Sequence, residues 1–449
     1  MQLNRICLAL ALTLQSAGPA LAGELFELYR QALANDARHA VVKAQQEAVQ
    51  QSVPMARAGF LPKIALSGGY GRTMLNNQSL GFTGNPLYRD YAFNPENYAA
   101  VVVQPVYRQS NFASYSQAEW QVKQADARLD RSLDELKARL TESYLQVLSA
   151  AARIDLIEQQ KTRYATLQHQ AQRAYEAGYG TVTEVAESQS RLDQLYADEA
   201  TAKAAYNSRL TELRNTIGNP KYVPTSFTIP AFKPTLHLGA SLQDWLKMAR
   251  DNAPALKEQA ARVKTAEYEV SKAKAGHLPT LDLRMQYGYE RDPSYTSIDN
   301  TNQSRSVTLS LNIPLYEGGY TVASTRRAAA DLYAARESER GINDDLTVNI
   351  EKEHGNVLAN ALRIDALQKS VATNELLVKA TQKSVTAGIR TNVDVLNAEN
   401  QLFEARLKLT SSRIDYLQSL VNLRALAGMV HDEELLKVDA LMQGNMPQP

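Results

Sequence analysis

The sequence predicts an α+β protein built by tandem duplication, each half carrying two short strands and one very long helix. Three observations predict this fold class. Similar segments recur about 210 residues apart, helical runs continue far beyond globular length without glycine or proline, and two pairs of segments alternate apolar with polar residues.

Of the 449 residues, 44% are hydrophobic and 22% charged, which suits folded structure rather than disorder. Arg5, the apolar run Ile6–Leu14 and the A-x-A pattern Ala20-Leu21-Ala22 read as a signal peptide over residues 1–22. Cys7, the only cysteine, lies inside that run, so the processed chain is expected to lack disulfides and thiol chemistry. Removing Arg5 takes the formal charge from +1 to 0, which gives no electrostatic basis for a nucleic-acid partner. After the signal peptide no stretch has the run of roughly 18 apolar residues that a membrane helix needs.

The duplication orders the rest. "AGFLPKIALSGGYG" (Ala58–Gly71) is echoed by "AGHLPTLDLRMQYG" (Ala275–Gly288), and "QPVY" (Gln104–Tyr107) by "IPLY" (Ile313–Tyr316). Arg153-Ile154-Asp155, Ala177-Gly178, Leu213-Arg214 and Gly218 then recur at a constant spacing of 210 residues. The first repeat is assigned to 23–217 and the second to 241–428, joined by a proline-rich linker over 218–240 and followed by a short tail over 429–449.

In the first repeat, a helical stretch over Glu24–Arg57 leads to strands at 62–72 and 98–107, a long helix at 112–177 and a helix at 182–217. The second repeat follows the same plan, with a helical stretch over Ser241–Ala275, strands at 279–291 and 305–316, and helices at 320–387 and 391–427. Segment 112–177 lacks glycine and proline and would run roughly 100 Å as one helix. Val185, Leu192, Tyr206 and Leu213 lie on one row of sevens interrupted by Glu199, while Val395, Leu402, Leu409, Tyr416 and Leu423 form an unbroken row. Strict sevens indicate coiled-coil packing. Because the medium helices of each repeat together match the long one in length, they are expected to stack end to end beside it.

The strands alternate most cleanly in the second repeat. Leu281, Leu283, Met285, Tyr287 and Tyr289 alternate with Asp282, Arg284, Gln286, Gly288 and Glu290, and Val307, Leu309, Leu311 and Ile313 with Thr308, Ser310 and Asn312. Such patterning fits a membrane β-strand between lipid and water, and equally a half-buried sheet of a soluble domain. Four strands cannot close a membrane barrel, which starts at about eight, so a membrane reading requires further copies of the chain. The segments between paired strands, Thr73–Asn97 and Pro293–Gln303, are expected to be loops.

The turns between long and medium helices have structural explanations. Gly178 and Gly388 can adopt the left-handed conformation of a helix C-cap, Thr391 or Asn392 can cap the next helix, and Asp394 falls in its first turn. The six histidines are scattered without a metal-binding spacing, and G-x-S-x-G and P-loop motifs are missing, so neither an enzyme nor a cofactor is expected.

Together with the duplicated plan and the Leu-Pro-led strands, "AGIRTNVDVLNA" (Ala387–Ala398) resembles the G-x-R-T-x-x-D-V-L-[DN]-A run of the TolC family of outer-membrane channel-tunnels. The resemblance extends over nearly the whole processed chain. It implies a homotrimer whose 12-stranded barrel, four strands from each chain, sits in outer-membrane lipid and continues into a long α-helical coiled-coil barrel in the periplasm. It also implies the outer-membrane duct of a tripartite export system, working with a periplasmic adaptor (membrane fusion) protein and an inner-membrane ABC transporter or RND pump. Type I protein secretion is the leading expectation, with multidrug efflux as the alternative and a trimeric coiled-coil adhesin as a distant third. The lack of a lipid-acceptor cysteine favours the secretion branch.

By the same resemblance, Arg390 matches an arginine that ties the closed periplasmic entrance, and Thr183 the threonine it reaches on a neighbouring subunit. Asp394 matches the first of two constriction aspartates that ring the pore and bind cations. Asn397 replaces the second, and Val385 replaces a constriction tyrosine whose partner aligns with Glu184. A ring of three carboxylates instead of six, weaker cation block and one fewer tether are therefore expected.

Overall fold

A computed structural model describes residues 23–224, 232, 234, 240–291, 300–430 and 432–442. The expected signal peptide and most of the linker lie outside them. The chain forms two compact units, one from Ala44–Arg128 with Ala255–Ile342, the other from Met1–Lys43, Leu129–Pro254 and Asn343–Pro449. The long helices α4 (Gln109–Glu176) and α8 (Tyr320–Thr386) contribute to both.

The first unit contains the strands: β1 (Lys63–Tyr70), β2 (Thr73–Leu80), β3 (Pro86–Phe93), β4 (Glu96–Tyr107), β5 (Thr280–Arg291) and β6 (Thr301–Asn312). Four of them form an antiparallel sheet in the order β1-β4-β5-β6. Directly paired residues of an antiparallel ladder share a face. Ile64 pairs with Val102, Val102 with Met285 and Met285 with Val307; Leu66, Ala100 and Tyr287 are likewise joined, as are Leu283 and Leu309. The register thus gathers most of the apolar residues of the four strands on one face, which also holds Gln104 and Arg305. On the opposite face, Lys63, Val103, Arg284 and Thr308 are linked in turn, with Gln286 beside Ser306 and Asp282 beside Ser310. None of the described residues covers the apolar face: Leu66 is 82% and Val307 72% exposed.

Two expectations about this unit need correction. The segment Thr73–Asn97 is not a plain loop, because β2 and β3 pair in register from Thr73–Phe93 to Leu80–Pro86 as a separate two-stranded ribbon. Its turn is closed by the Gly81 amide donating to Asn85 O at 2.8 Å, with Gly84 at φ 77°. In the second expected loop, residues 292–299 lie outside the described residues, and Thr301–Gln303 already belong to β6. β6 also stops at Asn312, not at 316, ahead of Pro314, which lacks the amide a ladder requires. The equivalent Pro105 is retained in β4 by a bulge between Pro105 and Tyr107. Beside the bulge, Arg108 grips Asp282 with two bonds of 2.9 and 2.6 Å, fixing the β4–β5 register in the way bidentate guanidinium–carboxylate pairs do.

The second unit is helical. It holds α1 (Glu24–Asn35), the start of α2 (Ala37–Gln50), α5 (Val182–Ile217), α6 (Leu242–Asn252), α9 (Asn392–Leu426) and α10 (Asp432–Met442) with the distal parts of the long helices. Its main core joins Leu25, Leu28 and Ala32 of α1 to Leu136, Leu140 and Val147 of α4, Leu213 and Ile217 of α5, and Leu435 and Val438 of α10. α10 therefore replaces the tail expected after Gly428.

The single helix expected over Glu24–Arg57 is also broken. Asp36 is extended (ψ 114°), and its carboxylate accepts from the His39 amide at 2.8 Å while pairing with Arg139 at 2.6 Å. It caps α2 after α1 ends, and a further break at Gln51 separates α2 from α3 (Ser52–Arg57). The second repeat breaks at the matching place, where Pro254 forces Ala253 into an extended conformation before α7 (Pro254–Lys274). Medium helices are accordingly not stacked end to end over this stretch: α1 lies beside the end of α5, with Asn35 Nδ2 donating to Ile217 O at 3.2 Å.

Candidate functional site

The residues singled out from sequence lie on two hairpin turns with the same backbone. In the first, the Tyr179 amide donates to Ala174 O at 3.1 Å and the Gly178 amide to Tyr175 O at 3.0 Å; in the second, Ile389 donates to Ser384 O and Gly388 to Val385 O, both at 2.9 Å. This paired bonding ends a helix on a left-handed residue, and Gly178 (φ 84°) and Gly388 (φ 70°) supply it.

The side chains that start the next helix use one motif differently in the two turns, the first with its cap hydroxyl alone and the second as a full capping box of Thr391 and Asp394. Thr181 Oγ1 accepts from the Glu184 amide at 3.3 Å and bonds Thr183 Oγ1 at 2.9 Å. In the second turn Asp394 Oδ2 reaches back to the Thr391 amide at 3.0 Å and to Thr391 Oγ1 at 3.1 Å. The backbone bond from Thr391, then its hydroxyl, and then the charge of Arg390 hold the Asp394 carboxyl below the usual carboxylate range. Thr391, not Asn392, is the cap. Arg390 is exposed and has no hydrogen-bond or ion-pair partner among the described residues, so the chain does not itself join it to Thr183 or Glu184. Val385 packs on the apolar cluster of Ile157, Leu167, Leu192 and Val395.

Contacts between helices involve residues that the sequence reading missed. Asn397 Oδ1 accepts from Arg191 Nη2 at 3.2 Å, so α5 and α9 are tied at the position expected to carry a second constriction group. Two residues on, the nearly buried Glu399 pairs with Arg163 of α4 at 2.7 Å, and Tyr164 donates to Leu396 O at 3.3 Å. Arg406 pairs with Glu375 of α8 at 2.7 Å. Glu199, which interrupts the heptad row, is clamped by Lys161 and Lys203, and these bonds lower its carboxyl. Arg163, Glu375, Glu399 and Arg406 also border a groove of about 780 Å³ between α4, α8 and α9. A charged residue beside the apolar positions 395 and 402 was the available signal for Glu399.

Among the described residues no group of three or more His, Cys, Asp or Glu side chains is placed to hold a metal ion, and no helix is long and apolar enough to cross a membrane. The arrangement offers caps, straps and a groove.

Comparison with known proteins gives these features a context. The family described as "Outer membrane efflux protein" matches residues 28–219 and 245–429, once for each repeat. The chain is 30% identical to the proteases secretion protein PrtF of Dickeya chrysanthemi, over 99% of this chain and 96% of that protein. It is 30% identical to the alkaline protease secretion protein AprF of Pseudomonas aeruginosa over 94% and 88%, and 26% identical to the outer membrane protein TolC of Vibrio cholerae over 93% and 94%. Among solved structures, the fold is shared with CusC (TM-score 0.78, 14% identity, 92% of this chain and 94% of that one). It is also shared with the Vibrio cholerae outer membrane protein VceC (TM-score 0.76, 16% identity, 91% and 97%).

Proposed function

The chain belongs to the outer membrane efflux protein family, and on that premise we propose that it is the outer-membrane exit duct of a type I protein-secretion system. The observation that carries the duct is the register of the four-stranded sheet, which concentrates apolar side chains on one face and polar ones on the other while, among the described residues, both edges, β1 and β6, stay unpaired. In a membrane such a sheet must be completed by other copies, because open backbone groups are not tolerated in hydrocarbon. Three copies make a closed 12-stranded barrel, with lipid outside and a water-filled passage inside. Protein cargo is favoured by the names of PrtF and AprF, which match this chain along nearly its whole length. An adaptor protein in the periplasm and an ABC transporter in the inner membrane would supply the energy the duct lacks. Deletion of the gene followed by comparison of the secreted proteome with drug susceptibility tests the reading. Loss of a protein from the medium with unchanged resistance is the expected result, and the reverse would make the chain an efflux duct.

The hairpin turns are the gate of this duct. Arg390, exposed and without a hydrogen-bond or ion-pair partner among the described residues, is available to Thr183 and Glu184 of a neighbouring copy. Asp394 contributes one carboxylate per copy to a constriction ring. Asn397 adds no charge, and its amide oxygen is engaged by Arg191. Single-channel conductance with multivalent cations tests the ring: block is expected to weaken in Asp394→Ala, and unchanged block would remove Asp394 from it.

A further inference from the structure

We propose that the buried carboxylate of Asp439 is the binding site for the α-ammonium group that signal-peptide cleavage creates on Gly23, joining α1 to α10 by an ion pair present only in the processed chain. The A-x-A pattern Ala20-Leu21-Ala22 places the cut at the Ala22–Gly23 amide. A signal peptidase adds water across that bond: Ala22 leaves as a carboxylate, and the Gly23 nitrogen, released from the amide, takes up a proton.

The site that receives this charge is already formed. Asp439 is only 4% exposed, its Oδ1 accepts from the Leu25 amide at 3.0 Å and its Oδ2 from the Phe26 amide at 3.1 Å. A side-chain carbon added to Gly23 would stand 2.1 Å from both Cγ and Oδ2 of Asp439. With bonds of about 1.5 Å, the Gly23 nitrogen is then within about 5 Å of the carboxylate. Gly23 has an ordinary φ of −65°, so space, not backbone conformation, requires a glycine there.

Among the described residues, the charged group that acts on Asp439 is another carboxylate, Glu24, which accepts from Tyr144 at 3.0 Å and Tyr222 at 2.8 Å. Burial is the larger cause and Glu24 a further one in pushing Asp439 up to about 6, against the two amide bonds that lower it. A buried anion beside a second anion is costly without a cation, and the new terminus supplies one at the open end of α1. Gly23 and α10 both lie outside the residues that the family matches.

The test uses the full-length processed protein in detergent. Terminal sequencing should begin at Gly23. Reductive ¹³C-dimethylation keeps the amine cationic and gives it a titratable resonance. In the folded protein the Gly23 ammonium is expected to be about tenfold weaker as an acid than in the same protein unfolded in urea, and to lose that difference in Asp439→Asn. Because Asp439→Asn also removes an amide acceptor and could fail to fold, a second variant inserts one alanine before Gly23, which moves the ammonium outward and leaves Asp439 intact. It too should titrate as in urea. Equal acidity in folded and unfolded wild-type protein, a weakened acid that persists in either variant, or a terminus other than Gly23 would overturn the proposal. None of these outcomes depends on transport.

Discussion

Helices α5 and α9 occupy equivalent places in the two repeats, yet α5 buries seven of its residues and α9 fifteen. Both carry the heptad row first seen in sequence, and all five members of the α9 row are buried. The difference lies in a second row. Leu396, Phe403 and Leu417, spaced by seven and then fourteen residues, face the interior of their unit on α9, whereas their counterparts Ala186, Asp193 and Asn207 are exposed. Ile414 and Val421 are likewise buried against exposed Ala204 and Thr211. A helix with one apolar row can cover a neighbour on one side, and a helix with two can be packed between neighbours. Duplication thus supplied two copies of one helix, and apolar residues at 396, 403, 414, 417 and 421 let one of them bury more of its surface.

The largest effect should separate these helices. Leu417→Ala removes a fully buried side chain and is expected to cost about 3 kcal/mol, while Asn207→Ala, at the equivalent place, should stay within about 0.5 kcal/mol in chemical unfolding. Equal costs would remove the distinction. Next, Glu399→Gln weakens the strap to Arg163 from a side chain only 5% exposed and should cost about 1–3 kcal/mol by the same measurement. Gln189→Ala at the matching position on α5 should change little, since that residue is exposed.

The turns ought to behave alike where the helices differ. Gly178→Ala and Gly388→Ala each force a left-handed alanine with no neighbouring atom within 4 Å of the new carbon, so both should cost about 1 kcal/mol through the backbone alone. Smallest is the charge at the second turn. The folded Asp394 carboxyl is lowered, so its contribution is present above about pH 4 and is lost as pH falls through the lower folded value. Wild type and Asp394→Asn should therefore differ in thermal midpoint at neutral pH and converge in acid; a difference that persisted in acid would show that charge is irrelevant to the cap.

The duplication, the four strands of the main sheet and the turn glycines were legible because each repeats a local pattern. The β2–β3 ribbon was hidden because Asn76, Asn77 and Gly81 read as loop formers, and cross-strand pairing overrode that preference. The break at Asp36 lacks the proline that marks its twin at Pro254, and depends on a bond from Arg139, 103 residues away. At the candidate gate, sequence supplied the turns and their caps. The Arg191–Asn397 and Arg163–Glu399 contacts were not legible, since each joins residues more than 200 positions apart through helix phases that a single row does not determine.

The uncovered sheet also constrains the order of events in assembly. A single copy carries two unpaired edges, β1 with eight residues and β6 with twelve, and hydrocarbon offers no partner for their amides and carbonyls. Water offers such partners but penalises the exposed leucines and valines on the other count. One copy is therefore poorly suited to either phase, and on the proposed function insertion and barrel closure are expected to be coupled steps.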